Sequence, residues 1–356
     1  TKQVFGRMPS GNEDEGVSGL DVINTIPSEE IKKLRGRKSE PEVTLSLENA
    51  VLYFIMATAC RYLRGQIKHS SMLVHITQKV ALQNKISKEL DTWLSVIKKE
   101  IASGKTALID RMKNIWDEES QKVSEDDLCR VFPDYHEDTE GLFPGTPDFK
   151  TIKPYFAEVI NRICIKTDNS GPSADRAVYK DDETAVYIVI GGNTLSRGLT
   201  LEGLVVSFFL RTATTYDALL QMGRWFGYRH GYEDLPRVWI PSELKEAFQF
   251  LSLVEQELRE EINQYTEGLT PADIGLSIRT HPDLQVVRKK AMQAAVPFRI
   301  NYLGKRIQTT YFRGRDDEWL NHNWEAGVNL LKSIENKRIK SESRIIFEGA
   351  EFDYIK

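Results

Sequence analysis

The chain has 356 residues, 40% of them hydrophobic and 28% charged, with a formal net charge of −4. These are the values of a globular protein long enough for two or more domains, not of a disordered or fibrous one. They exclude a chain that is basic overall, as a general nucleic-acid binder would be, but leave room for a local basic groove.

Residues 1–42 are poor in apolar periodicity, and Gly11–Gly16 with the basic run Lys32–Lys38 reads as an N-terminal linker or tail. Thr1 is not an initiator methionine, so a fragment or processed product is expected. The first residues lack the pattern of a signal peptide. No apolar run approaches the ~18 residues of a membrane span, so no membrane association is expected. Cys60, Cys129 and Cys164 form neither a CxxC pair nor a disulfide framework, which points to a reducing cytoplasm.

From residue 43 the pattern changes. Leu47, Ala50, Val51, Phe54 and Ile55 recur at helical spacing and predict a helix over Leu45–Tyr62. A strand is predicted at Ser71–Ile76, followed by helices at Lys79–Ile101 and Thr106–Glu119. A Pro-, Gly- and Asp-rich loop covers 133–148. Lys153–Val159 reads as helix, Arg162–Lys166 as a short strand, and Thr167–Asp182 as a mobile polar loop. Three apolar runs follow, Val186–Ile190, Leu204–Leu210 and Arg237–Ile240, each reading as a strand buried on both faces. Ser242–Tyr265 is a predicted helix with Ser242 as its cap. Helices alternating with buried strands over 43–265 predict a three-layer α/β domain with a mainly parallel sheet. Residues 266–356 read as a C-terminal α+β extension, with a helix start at Thr270–Asp273, a strand region at Tyr302–Phe312 and a helix at Trp324–Glu335. There is no internal repeat.

The chemistry-bearing residues lie between the last three strands. Gly191-Gly192-Asn193-Thr194-Leu195-Ser196-Arg197-Gly198-Leu199-Thr200 follows the first. Glycines there let backbone amides approach a phosphate, the hydroxyls of Thr194, Ser196 and Thr200 add donors, and Arg197 adds a fixed cation. The alternative is an ordinary βα turn with a polar rim. After the second strand comes a helix ending in Gln221-Met222-Gly223-Arg224-Trp225-Phe226-Gly227-Tyr228-Arg229. A guanidinium there can grip phosphate oxygens with a forked set of donors, or pair structurally with Asp217, Glu233 or Asp234. Trp225, Phe226, Tyr228, Tyr232 and Trp239 can stack on bases, but core packing is the commoner use of such residues.

These residues carry a resemblance. SRGLTLEGLVVSFF followed by LLQMGRWFGYR is similar to motifs V and VI in the second RecA-like lobe of superfamily 2 helicases. The fuller set, SSMLVHIT, GGNTLSRGLTLEGL and TTYDALLQMGRWFGYRHGYEDLPRVW, resembles the Z-one domain. That is a helicase-associated domain of prokaryotic restriction-like and genome-conflict systems that carries an endonuclease label. The resemblance covers about residues 43–265. It implies a RecA-like, P-loop NTPase-type fold and a nucleic-acid-dependent ATPase lobe acting on DNA. Arg229, with Arg224 second, becomes the arginine finger. Gly192, Asn193, Arg197, Gly198, Thr200 and Gln221 face the nucleotide, while Thr194, Ser196, His75 and Thr77 face nucleic acid. Three departures stand out. The helicase aspartate is Thr200 here, which loses the usual ribose contact; the Gly223-Arg224 pair comes one residue early after Gln221; and two extra residues separate Arg224 from Arg229.

The other half of an ATPase site is missing. Ser103-Gly104-Lys105-Thr106 follows a predicted helix rather than a strand, and Asp117-Glu118-Glu119 sits in a charged helical pattern. ATP and Mg²⁺ are therefore expected to be held mainly by a first helicase lobe, in the same or another chain. Two alternatives stay open: a Mg²⁺-dependent endonuclease and a non-catalytic module that binds nucleic acid or a partner. The nuclease needs converging acids and a lysine. Candidate first acids follow Pro133, Pro147 and Pro282, and Glu243-Leu244-Lys245 is the candidate E-x-K, though it reads as the first turn of a helix. His75 and His230 have no metal-ligand spacing. The basic clusters Arg288–Lys290 and Lys337–Lys340 read as solvated faces.

Overall fold

The computed structural model describes residues 2–9, 17–35, 40–132, 145–169, 171, 174–180, 182–192, 201–210, 215–223, 231–265, 278–281, 284–286, 317–335, 338–341 and 344–347. The chain divides into two compact units. The larger comprises Thr1–Thr280 with Leu284–Ile300, and so runs past the expected boundary at 265. The smaller comprises His281–Asp283 with Asn301–Lys356.

The larger unit is built on one sheet. Its strands are β1 (Ile23–Thr25), β2 (Ser70–His75), β3 (Ile163–Asp168), β4 (Val186–Gly191), β5 (Leu204–Phe209) and β6 (Arg237–Ile240). They pair in the order β1-β6-β5-β2-β4-β3, and every pairing is parallel. Side chains of successive strand residues point to opposite faces. Met72, Val74, Ile188, Ile190, Phe208 and Trp239 therefore enter one core, and Leu73, Val189, Leu204, Phe209, Val238 and Ile240 the other. Helices cover both faces, which makes this a three-layer α/β fold.

On the first face lie α3 (Leu45–Leu63), α4 (Val80–Ala102), α5 (Thr106–Glu119), α7 (Phe149–Ile152) and α8 (Phe156–Arg162), with α6 (Glu125–Val131) between α5 and α7 in sequence. Every residue of α3 from Ala50 to Tyr62 is buried. It touches β2 and β5 on one side and α5, α7 and α8 on the other, which is why its sequence is apolar nearly all round. The predicted helix at Lys153–Val159 opens as a 3-10 turn, Lys153–Tyr155, where Pro154 withholds an amide, and continues as α8; α7 precedes the turn. On the second face lie α1 (Lys2–Phe5), α9 (Tyr216–Gly223) and α10 (Ser242–Tyr265).

Three expectations change. The N-terminal segment is not a linker throughout. Ile23–Thr25 adds the sixth strand beside β6, α2 (Ser28–Leu34) follows it, and Phe5 stacks on Phe248 at 4.4 Å between ring centroids. Three residues are too few for a period to register, so the pattern gave no strand signal. Ser242 is not the cap of α10. The amides of Leu244 and Lys245 both donate to the carbonyl of Pro241, each at 3.1 Å, so the proline precedes the first turn and Ser242 lies within it. Finally, the polar stretch after β3 is tied down at Tyr179. Its hydroxyl lies 2.7 Å from Ser71 Oγ and its ring packs against His69 and Tyr187. Burial pushes the Tyr179 phenol up to about 12.

In the smaller unit, α11 (Asp317–Ile334) contains most of the helix predicted at Trp324–Glu335, and β7 (Arg338–Ser341) pairs antiparallel with β8 (Arg344–Phe347). The expected elements at Thr270–Asp273 and Tyr302–Phe312 and the cluster Arg288–Lys290 lie outside the described residues.

Candidate functional site

Adjacent strands β2 and β5 send their chains to opposite faces of the sheet. From β2 the chain passes to α4 on the first face, and from β5 to α9 on the second. In an open parallel sheet such a divergence leaves a crevice beyond the carboxyl ends of the two strands, where ligands bind.

The floor of this crevice is made by tight backbone contacts. The Leu210 amide donates to the His75 carbonyl at 2.9 Å, and Arg35, at the end of α2, donates to the Leu210 carbonyl at 2.7 Å. Thr77 Oγ1 accepts the Lys79 amide at 3.2 Å, and Gln83 Nε2 donates to the Thr77 carbonyl at 2.8 Å. Gly192, just past β4, presses against this turn. A Cβ added there would lie 2.7 Å from Gln83 Nε2 and 3.5 Å from both the Thr77 carbonyl and Gln78 Cα. Glycine is used here for close approach rather than for a left-handed backbone.

Two buried amides at this edge carry unused hydrogen-bonding groups. Gln83 is 1% exposed and its Oε1 has no partner among the described residues; Asn169, after β3, is 4% exposed and its Nδ2 has none either. Asn169 Oδ1 accepts the Gly171 amide at 2.9 Å, an Asx turn. Left unpaired, such a group costs ~1–3 kcal/mol, so this edge offers one acceptor and one donor beyond those the described residues use.

The predicted site residues distribute as follows. Gly192 and Thr77 come together. His75 is enclosed, 1% exposed with its ring edge-on to Phe209 at 5.0 Å, so its imidazole is a wall of the core and not a surface contact for nucleic acid. Gln221 is exposed in the last turn of α9. Asn193, Thr194, Ser196, Arg197, Gly198, Thr200, Arg224 and Arg229 lie outside the described residues, as do Trp225, Phe226, Tyr228 and His230. Gln83, Asn169 and Arg35 were not anticipated. Asn169 stands in a turn-forming Asp-Asn-Ser-Gly run, but nothing in the spacing of Gln83 or Arg35 marks them, because their contacts are tertiary.

The competing motifs take structural roles. Gly104, with φ +67°, and Lys105 form the turn between α4 and α5, where Lys105 pairs with Glu100. That is a helix–helix junction and not a phosphate loop. Asp234 pairs with Arg64 at 2.6 Å, and Glu119 with Arg237 at 2.8 Å. Tyr232 and Trp239 are buried, as core packing requires. Glu243-Leu244-Lys245 lies in the first turn of α10. Among the described residues no group of three or more His, Cys, Asp or Glu could hold a metal, and no helix is long and apolar enough to cross a membrane.

A family model described as the Z1 domain matches residues 46–286, a span that holds five of the six strands and, Arg35 apart, the residues named at the carboxyl-edge crevice. No curated protein and no solved structure matches the chain.

Proposed function

The chain belongs to the Z1 domain family, and from that premise we propose that it is the second lobe of a superfamily 2 helicase-like, DNA-dependent ATPase of a prokaryotic restriction or genome-defence system, working in the cytoplasm. The observation that carries the reading is the contact of Gly192 with the Thr77–Gln83 turn at the carboxyl edge. From that point departs the Asn193–Thr200 segment, whose glycine, hydroxyls and arginine suit phosphate oxygens.

The chemistry is transfer of the γ-phosphoryl group of ATP to water. Mg²⁺ and the triphosphate belong to a first lobe, since Gly104-Lys105-Thr106 is a turn between helices. This chain's part is to meet the charge that develops at the transferring group. Arg229, or Arg224, supplies forked donors; Arg197, Gly198, Thr200, Asn193, Gly192 and Gln221 line the nucleotide side; Thr194, Ser196 and Thr77 face the DNA backbone. His75 serves this surface from beneath, by holding the end of β2 against Phe209. Fixed donors brought in by lobe closure stabilise the transition state without reorganisation cost.

The test is ATP turnover by the natural full-length protein with and without DNA. Turnover is expected to rise with DNA and to fall by ~10³–10⁵ in Arg229→Ala, with ATP affinity nearly unchanged. Arg229→Lys, which keeps the charge but not the fork, does not rescue it. Absence of DNA-dependent turnover, or an Arg229→Ala variant that loses only thermal stability, would reject the reading.

A further inference from the structure

At the amino edge of the sheet, opposite the crevice, Arg61 is 3% exposed and has no carboxylate partner among the described residues. Its Nη1 donates to the His69 carbonyl at 2.7 Å and to Ser70 Oγ at 2.6 Å. Its guanidinium carbon stands 4.1 Å from the centroid of the Tyr232 ring. Gly203, with φ +61°, closes the other side: a Cβ there would lie 2.9 Å from Nη1 and 1.7 Å from the His69 carbonyl oxygen. Burial holds the Arg61 guanidinium below its ordinary pKa, and its Nε has no partner among the described residues. A buried cation with no acid beside it costs several kcal/mol, a cost that Met in the same space would not carry.

What meets at Arg61 suggests why it is there. Gly203 is where the β4–β5 connection, carrying Arg197-Gly198, returns to the sheet. Tyr232 belongs to the return of the α9–β6 connection, carrying Arg224 and Arg229. That second return is held from the same corner by Gln66 Nε2 on the Gly231 carbonyl at 2.6 Å and by Arg64 on Asp234. We propose that Arg61 is a positioning residue that ties the two motif-bearing connections to each other, so that displacement of one is transmitted to the other through a single buried guanidinium. The mechanical tie stands on these contacts alone. That it would couple DNA contact to ATP turnover rests on the reading above.

Amide hydrogen exchange in this chain tests the tie without any assay of activity. Three amides report on it: Ser71, which donates to the Gly203 carbonyl; Gly231, which donates to Glu233; and Leu235, which donates to the Tyr232 carbonyl. Tyr232→Leu removes the ring from one connection and alters no residue of the other. It is expected to speed exchange at Ser71 about three- to thirtyfold, the worth of a desolvated cation–π contact. Arg61→Lys, which loses the fork and the planar stack, is expected to speed all three amides while Ile188 in β4 keeps its protection. The proposal is overturned if Tyr232→Leu leaves Ser71 unchanged, or if Arg61→Lys raises exchange evenly across the sheet. Should Arg61→Lys fail to fold, the cross-effect of Tyr232→Leu decides alone. Failure of the full-length protein to hydrolyse ATP would reject the ATPase reading and leave the tie standing.

Discussion

Arg237 Nε lies 2.8 Å from Glu119 Oε2, with the two side chains 1% and 7% exposed. The pair joins the last residue of α5 to the first residue of β6, and Arg237 adds bonds to the carbonyls of Asp234 and Pro236. A buried ion pair is weak evidence of net stabilisation, but breaking one leaves a charge uncompensated. Glu119→Ala should therefore cost ~3–5 kcal/mol in urea denaturation, against well under that for Glu119→Gln, which keeps an acceptor. A loss below ~1 kcal/mol for Glu119→Ala would show that water, or the carbonyls Arg237 already meets, compensate the arginine.

Gly192→Ala places a methyl 2.7 Å from Gln83 Nε2. Gln83 must yield its bond to the Thr77 carbonyl, so a cost of ~1–3 kcal/mol is expected. In the Gly192→Ala/Gln83→Ala double variant most of the steric part should vanish. Strict additivity of the two single losses would mean that the residues do not meet.

Phe5 packs face to face with Phe248 and is 2% exposed, although it stands near the start of the chain. Phe5→Ala is expected to lower stability by ~3–5 kcal/mol, as a core aromatic does. A tail residue would cost nothing, and thermal melting separates the two outcomes.

Cys60 is buried in α3, and desolvation pushes its thiol from an ordinary 9.0 up to about 12. At neutral pH a thiol reagent should label exposed Cys164 first, Cys129 more slowly, and Cys60 only on unfolding. The sign of the pH effect follows. The folded state holds the neutral thiol, so this contribution is complete below about pH 9 and is lost as pH rises toward about 12. Labelling of Cys60 as fast as Cys164 in the folded protein would contradict its burial.

The parts legible in the sequence were those whose cause is local. Strands β2, β4, β5 and β6 read as strands because each is apolar on both faces, and α5 and α10 read with their observed limits because their apolar spacing is regular. Gly192 stood out as a glycine after a strand. Gln83 and Arg61 did not, because each meets a neighbour far along the chain: Gln83 the backbone at Gly192, and Arg61 the ring of Tyr232. His75 was misjudged for the same reason. It ends β2, which suggests a rim, yet the neighbouring β5 carries Phe209 against it.

The place of β1 has a consequence for handling the protein. The family match begins at residue 46, after β1, whereas Ile23–Thr25 covers the outer side of β6. A chain trimmed to the matched region would leave β6 with a row of unpaired amides and carbonyls beside apolar side chains, a template for strands of other molecules. Such a fragment should self-associate with rising concentration in sedimentation, and restoring residues 17–45 should suppress it. Three residues that seal an open margin would then decide whether the domain can be prepared as a monomer.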